Sequence, residues 1–239
     1  MAVVLTDDFT GTNDDPWDES KWVTAVDTNC VANILNNQGR MLGVGNYLDW
    51  ISATVLVDDV QDGEVLVSIT PNSGSTGVQY FKLFLRSSGE NDTSGQPNNG
   101  YEFRANVNTI VTSVYSYRWI SDTDTSLSQT ITSRSTPYVK FWIRMQVMDD
   151  GANTMFRVKS WDDGAGEPGT WDIEYTDTTP GALHGTAGAL QFVTLASGST
   201  LIDNLVDDVT YTSYDAGGEA AEYGKRIDLD NHRIVRVVR

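Results

Sequence analysis

Tyr138-Val139-Lys140-Phe141-Trp142-Ile143-Arg144-Met145-Gln146-Val147 decides the fold class. Val139, Phe141, Ile143, Met145 and Val147 fall on one side of this run, and Lys140, Trp142, Arg144 and Gln146 on the other. Successive side chains of an extended strand point to opposite faces, so a period of two with one apolar side marks a half-buried strand. Asp149-Asp150-Gly151-Ala152-Asn153 follows, a cluster suited to a hairpin turn. Alternation then resumes in Met155-Phe156-Arg157-Val158-Lys159-Ser160-Trp161, with Phe156 and Val158 inward.

Outward from this pair, strands read at 53–57, 64–70, 79–86, 100–106, 110–119, 187–194 and 205–212. Clusters of Gly, Asn, Asp and Ser separate them. No stretch carries a 3.6-residue period with caps. About ten to twelve strands at short intervals predict an all-β, two-sheet antiparallel jelly-roll sandwich. The chain has 239 residues, a length at which such sandwiches form one domain and bury about 70% of the unfolded chain's surface. Cys30 is the only cysteine, so no intrachain disulfide forms and packing must supply the stability. It reads as a small buried hydrophobe.

The expected organisation is a sandwich over 1–212, a linker over 213–224 and a basic C-terminal docking segment over 225–239. The formal net charge is −17, which disfavours nucleic acid as a partner. Residues 225–239 oppose that sign. Lys225, Arg226, Arg233, Arg236 and Arg239 face only Asp228 and Asp230, a net of +3 that leaves −20 on residues 1–224. Arg233, Ile234, Val235, Arg236 and Val237 read as one strand. A lone strand must add to its own sheet or to a partner's, which makes these residues a candidate docking element. No segment approaches the ~20 apolar residues of a membrane helix. The N-terminus has neither a basic n-region nor a long apolar run, so no signal peptide is expected.

Binding chemistry is read from the polar side of the central hairpin. Trp142, Arg144, Arg157, Lys159 and Trp161, with Lys140, share one face of two adjacent strands. Indole offers flat apolar area and Arg a fixed fork of donors, a pairing that suits a sugar ring. The alternative at these positions is packing of stems and cation–π pairs, or cover by a loop or a neighbouring subunit. Trp17, Trp22 and Trp171 read as core or corner plugs.

Asp7-Asp8-Phe9-Thr10-Gly11, Trp17-Asp18-Glu19-Ser20-Lys21-Trp22 and Gly39-Arg40-Met41-Leu42 together resemble the opening of concanavalin A-like lectin/glucanase domains. The stretch from Arg157 to Trp171, closed by Asp207-Asp208-Val209-Thr210-Tyr211, resembles the second half of laminin-G-like jelly rolls. Residues 1–212 as a whole look like domains found in minor tail proteins of phages that infect actinobacteria. That resemblance implies a structural calcium where the first and last strands meet, with Asp208 as its carboxylate and backbone carbonyls near Phe9 and Gly39. It also implies, in glucanase relatives, a strand bearing Glu-x-Asp-x-x-Glu, because glycoside hydrolysis needs two carboxyl groups in close opposition. No such triplet is present. Asp172 and Glu174 alternate but lack the third carboxylate at the right spacing, and no nucleophile elbow, phosphate loop or zinc spacing is present.

The expectation is therefore a non-enzymatic virion protein, tail-associated or decorating, assembled in the host cytoplasm and docked on other virion proteins through its C-terminal segment. Its jelly roll would face outward toward host-surface glycan. A carbohydrate-binding lectin module is the alternative, and a divergent glycoside hydrolase the third. Homo-oligomerisation is left open.

Overall fold

In a computed structural model, residues 2–27, 29–44, 50–56, 60–71, 78–89, 95–107, 112–132, 139–197, 201–214, 224–228 and 233–237 are described. The strands run β1 Ala2–Asp7, β2 Trp22–Val26, β3 Cys30–Ile34, β4 Gly39–Val44, β5 Trp50–Val55, β6 Gly63–Pro71, β7 Val78–Ser88, β8 Asn99–Val107 and β9 Thr112–Ile120. They continue as β10 Thr123–Thr132, β11 Phe141–Asp150, β12 Asn153–Asp162, β13 Ile173–Asp177, β14 Ala189–Ser197, β15 Leu201–Ser213, β16 Gly224–Asp228 and β17 Arg233–Val237. One 3-10 turn, Gly181–Leu183, precedes β14.

An eight-stranded sheet has the order β13-β12-β11-β6-β15-β4-β3, with β1 also on β15. A seven-stranded sheet has the order β10-β9-β8-β7-β14-β5-β2. Every pairing is antiparallel, and the non-sequential neighbours β6/β15 and β7/β14 are the crossovers of a jelly-roll sandwich. The core lies between the sheets. Phe141, Ile143, Met145 and Val147 of β11 join Val65, Val67, Ile69, Phe156 and Val158. Opposite them stand Phe81, Leu83, Leu85, Tyr101, Phe103, Leu190 and Phe192. The alternation of the central hairpin thus places its faces correctly, but β11 begins at Phe141, and Val139 is exposed ahead of it.

The N-terminal segment plugs one region of this core. Phe9 lies 4.7 Å from Trp17 and 5.9 Å from Trp22, which in turn lies 5.3 Å from Phe192. Burying the two indoles requires partners for their N–H groups. Trp17 donates to the Asn33 carbonyl at 3.0 Å and Trp22 to Asp7 at 2.7 Å. Gly39 is needed here because a Cβ would come within 2.7 Å of Phe9 and 2.8 Å of Trp17. Cys30 is buried in the same core.

A bulge in β7 turns Arg86 out of the strand's alternation. Its φ is +54°, and its guanidinium is buried. It reaches Asp62 at 3.0 Å, Asp149 at 2.9 Å and the carbonyls of Gln61 and Leu183. One side chain of the seven-stranded sheet thereby ties down the end of β11 in the other sheet and the 3-10 turn.

The terminal strand departs from expectation. β17 pairs with β16 in register Gly224↔Val237 to Asp228↔Arg233, and among the described residues this hairpin pairs with neither large sheet. The linker expected over 213–224 is shorter than that: Ser213 ends β15 and Gly224 opens β16, and 215–223 lie outside the described residues.

Candidate binding surfaces on the two outer faces

The expected sugar face is the outer face of β11 and β12, and its residues do come together. Trp142 opposes Trp161, and Arg144 opposes Lys159. The two indoles stack with centroids 6.4 Å apart and planes 10° from parallel. Lys140 Nζ sits 5.2 Å over Trp142, whose Nε1 donates to Asp163 at 2.9 Å. The cations, however, are committed to carboxylates. Arg144 pairs with Glu64 and with Glu167, the latter at 2.9 Å. Lys159 pairs with Glu167 at 2.7 Å and donates to the Pro168 carbonyl, and Arg157 pairs with Glu174 at 2.8 Å. Burial would raise the Glu167 carboxyl, but bonds from Lys159 and Arg144 outweigh it and hold the group below its ordinary value. Trp171 is no core plug. Its half-buried ring lies 4.8 Å from Lys159 Nζ. The β12–β13 connection therefore folds over this face and uses its donors.

The calcium expectation meets a different arrangement. A bulge in β15 follows Asp207, and Asp208 has φ +52°. Asp208 accepts from Lys140 at 3.1 Å and from Ser68 at 3.3 Å, while Asp207 accepts from Gln38. Burial, then the neighbouring Asp208, raises the Asp207 carboxyl. Calcium asks for six to eight oxygen ligands, and here an ammonium holds the position a cation would take. This donor set does not fit a calcium shell, and among the described residues no group of three His, Cys, Asp or Glu is arranged to hold a metal. The Asp172–Glu174 pair is likewise occupied. Asp172 accepts from the Ser160 N–H at 2.8 Å, and Glu174 takes Arg157.

The outer face of the seven-stranded sheet carries a second constellation. Alternation on β9 puts Tyr115, Tyr117 and Trp119 on that face. Register places Glu102 opposite Tyr117 and Arg104 opposite Tyr115, then Phe84 opposite Glu102 and Lys82 opposite Arg104. Glu102 is fully buried. It pairs with Arg104, stands 3.8 Å from Lys82 Nζ and accepts from Trp119 Nε1. Arg104, so anchored, lies over the Tyr117 ring at 4.1 Å, and Tyr117 stacks on Tyr115 at 6.2 Å. Both tyrosines remain half-buried. Lys82, 4% exposed, donates to Gln96 and sits 5.3 Å over Trp119. Burial drives its ammonium down to about 8, against the pull of Glu102. Gln191 donates to the Gly95 carbonyl at 3.0 Å, and Gly95 packs on Trp50. Gly95 and Gln96 of the connection before β8 thus cover part of the β7–β14–β5 half of the face, and among the described residues Arg104, Tyr115 and Tyr117 on β8 and β9 stay partly exposed. The signal for this site was Tyr115-Ser116-Tyr117-Arg118-Trp119, an aromatic at every second position.

No family model matches the sequence, and no curated protein matches it. Solved structures do match in shape. A carbohydrate-binding module, CBM66 from Bacillus subtilis, is 12% identical with a TM-score of 0.51, covering 81% of this chain and 96% of its own. The exoplasmic/lumenal domain of VIP36, solved bound to Ca2+ and Man2, is 9% identical with a TM-score of 0.59, covering 98% and 95%. LamA E269S from Z. galactanivorans, solved with laminaritriose and laminaritetraose, is 12% identical with a TM-score of 0.59, covering 88% and 98%. At these identities the likeness speaks to the fold, and the fold is the jelly roll shared by lectin and carbohydrate-binding domains of the concanavalin A-like and galectin-like kind.

Proposed function

We propose that this chain is a carbohydrate-binding, lectin-type module without catalytic activity, and that it holds its glycan on the partly exposed Arg104, Tyr115 and Tyr117 of the β8–β9 half of the seven-stranded sheet. Tyr115 and Tyr117 stack on sugar rings, and Arg104 donates to hydroxyl groups. The observation that carries this is the Arg104–Tyr117 pair at 4.1 Å, fixed from beneath by a fully buried Glu102. A rigid aromatic beside a pre-set donor keeps the entropic cost of binding low. The fold's likeness to glycan-bound domains supports the reading. The lack of catalysis is supported by Glu102 itself. Two cations hold it, whereas hydrolysis needs an acid and a nucleophile about 5 Å apart.

Glycan-array screening followed by calorimetry tests the proposal. Tyr117→Ala is expected to weaken the strongest hit roughly tenfold or more, with Trp142→Ala unchanged. The reverse pattern would move the site to the β11–β12 face, and binding to no glycan would remove the module reading.

As a second reading, we infer that the sandwich is carried on a phage virion and presented outward, with the β16–β17 hairpin as its docking element. The lack of pairing between the hairpin and either large sheet among the described residues, and the basic sign of residues 225–239, support it. Tyr214 belongs to the sandwich, since its N–H donates to the Asp62 carbonyl at 2.7 Å, so the informative truncation removes 215–239. The truncated chain is expected to keep the melting temperature of the sandwich and to disappear from purified particles. Its normal incorporation would sink the docking role.

A further inference from the structure

The ion pairs of this molecule show a bias that one site breaks. The chain has 33 acidic and 16 basic residues, so carboxylates are in excess and several cations serve more than one. Lys21 serves Asp7 and Asp18, Arg86 serves Asp62 and Asp149, and Lys140 serves Asp207 and Asp208. Arg40 and Arg118 pair one to one with Asp203 and Asp177. On the β11–β12 face Arg144, Arg157 and Lys159 are matched by Glu64, Glu167 and Glu174. Arg144 and Lys159 share Glu167, but Arg144 also has Glu64; among the described residues, Lys82 and Arg104 are the one pair of cations with a single ion-paired carboxylate between them, Glu102. That excess cation lies directly under the tyrosine ladder.

Both cations are withdrawn from water, with side chains 5% and 16% exposed, so their field is weakly screened. Arg104 spends Nε and Nη2 on Glu102 and, among the described residues, makes no bond through Nη1. Asp124 stands on β10 in register with Trp119. It is exposed and forms no ion pair with either cation among the described residues, and its charge acts on Lys82 and Arg104 only from longer range. Tyr115, Tyr117, Trp119 and Gln96 supply the remaining neighbours, none of them charged at neutral pH.

Resting on the module reading above, we propose that the glycan taken by this face is acidic: a sugar bearing a carboxylate or sulfate whose anion lies against Arg104 while its ring stacks on Tyr117. Charge-assisted, geometrically fixed bonds to a planar guanidinium are the strong ones, and a bound anion restores the balance that Glu102 alone leaves incomplete. The net −17 of the chain opposes approach of an anion only at long range, where salt screens it; contact at Arg104 decides binding. Lys82 couples this to pH. Its ammonium is already down to about 8, and a nearby anion favours its charged form. Acidic ligands should therefore bind fully below pH 8 and lose affinity as pH rises through it, while neutral ligands should not respond.

The test uses the full chain and an array of matched pairs: uronic acid polysaccharides with their carboxyl-reduced forms, and sulfated galactans with their desulfated forms. The expected result is at least tenfold tighter binding of the acidic member of a pair, with that preference shrinking between pH 7 and 9.5. Which pair shows it identifies the anion. Arg104→Gln should abolish the preference, and the wild-type pH series stands in if that variant does not fold. Equal affinity within every pair, or a preference insensitive to pH, overturns the acidic-sugar inference and leaves the module reading standing. Binding to neither member of any pair overturns both.

Discussion

Arg86→Met is expected to lower the unfolding free energy by about 3–5 kcal/mol, the usual cost of removing one partner from a buried ion pair. Met restores much of the apolar stem, so the loss isolates the guanidinium. Four acceptors lose one donor at once: the carboxylates of Asp62 and Asp149 and the carbonyls of Gln61 and Leu183. The end of β11 and the 3-10 turn lose their tie to β7, although Asp149 keeps its bonds from Gln61, Thr154 and Gly185. Burial pushes Asp149 up, yet bonds from Arg86 and Thr154 bring its carboxyl below the ordinary value. A depressed folded value gives stability that is present above the ordinary carboxylate range and is lost as pH falls through the folded value. The variant should lose the part of that acid-sensitive increment that Arg86 supplies, keeping the part from Thr154 and Gly185. Urea unfolding at pH 7 and pH 3.5 checks both points. A loss under 1 kcal/mol, or an unchanged acid response, would show that water replaces the guanidinium. Arg40→Met is the comparison, since the Arg40 side chain is 22% exposed against 1% for Arg86, and its loss should be smaller.

How much of this was legible in the sequence depends on whether the information was local. β11 and β12 were legible because Phe141, Ile143, Met145, Val147, Phe156 and Val158 alternate against polar neighbours. β10, Thr-Asp-Thr-Ser-Leu-Ser-Gln-Thr-Ile-Thr over Thr123–Thr132, was missed because an edge strand needs no apolar face of its own; pairing with β9 defines it. The bulges at Arg86 and Asp208 are backbone events at non-glycine residues, and composition gives no sign of them. The Lys82–Glu102–Arg104 cluster was invisible for another reason. Lys82 is twenty positions from Glu102 and Tyr117 fifteen, and only the register of β7, β8 and β9 makes them neighbours. The β11–β12 face failed in the opposite way. Its residues were correctly brought together, but Glu167 and Trp171, which occupy them, arrive from a connection whose path no periodicity describes.

Removing Glu102 should show that this cluster is both a structural keystone and the base of the binding face. Glu102→Ala leaves two buried cations facing each other across β7 and β8 and takes the acceptor from Trp119 Nε1. The expected loss is again about 3–5 kcal/mol near neutral pH. Its pH dependence distinguishes this from a simple cavity. In the wild type, Lys82 falls from its ordinary 10.5 to about 8, so between those values the unfolded chain binds the extra proton and stability rises with pH. Glu102 is the main group holding that value up against burial. Without it the folded-state value drops further, and Lys82 in the variant sheds its proton at lower pH than in the wild type. The deficit should therefore narrow as pH rises toward 8 and stay constant once Lys82 is neutral in both folded proteins. A cavity would cost the same at every pH. Adding Lys82→Met to Glu102→Ala should recover part of the loss, because the two sites share one interaction and cannot be additive. Urea unfolding of wild type, both single variants and the double variant from pH 6 to 9 measures this. A pH-independent deficit, or strict additivity, would mean that Glu102 acts through packing alone, and Arg104 would then lack the electrostatic anchor that sets it against Tyr117.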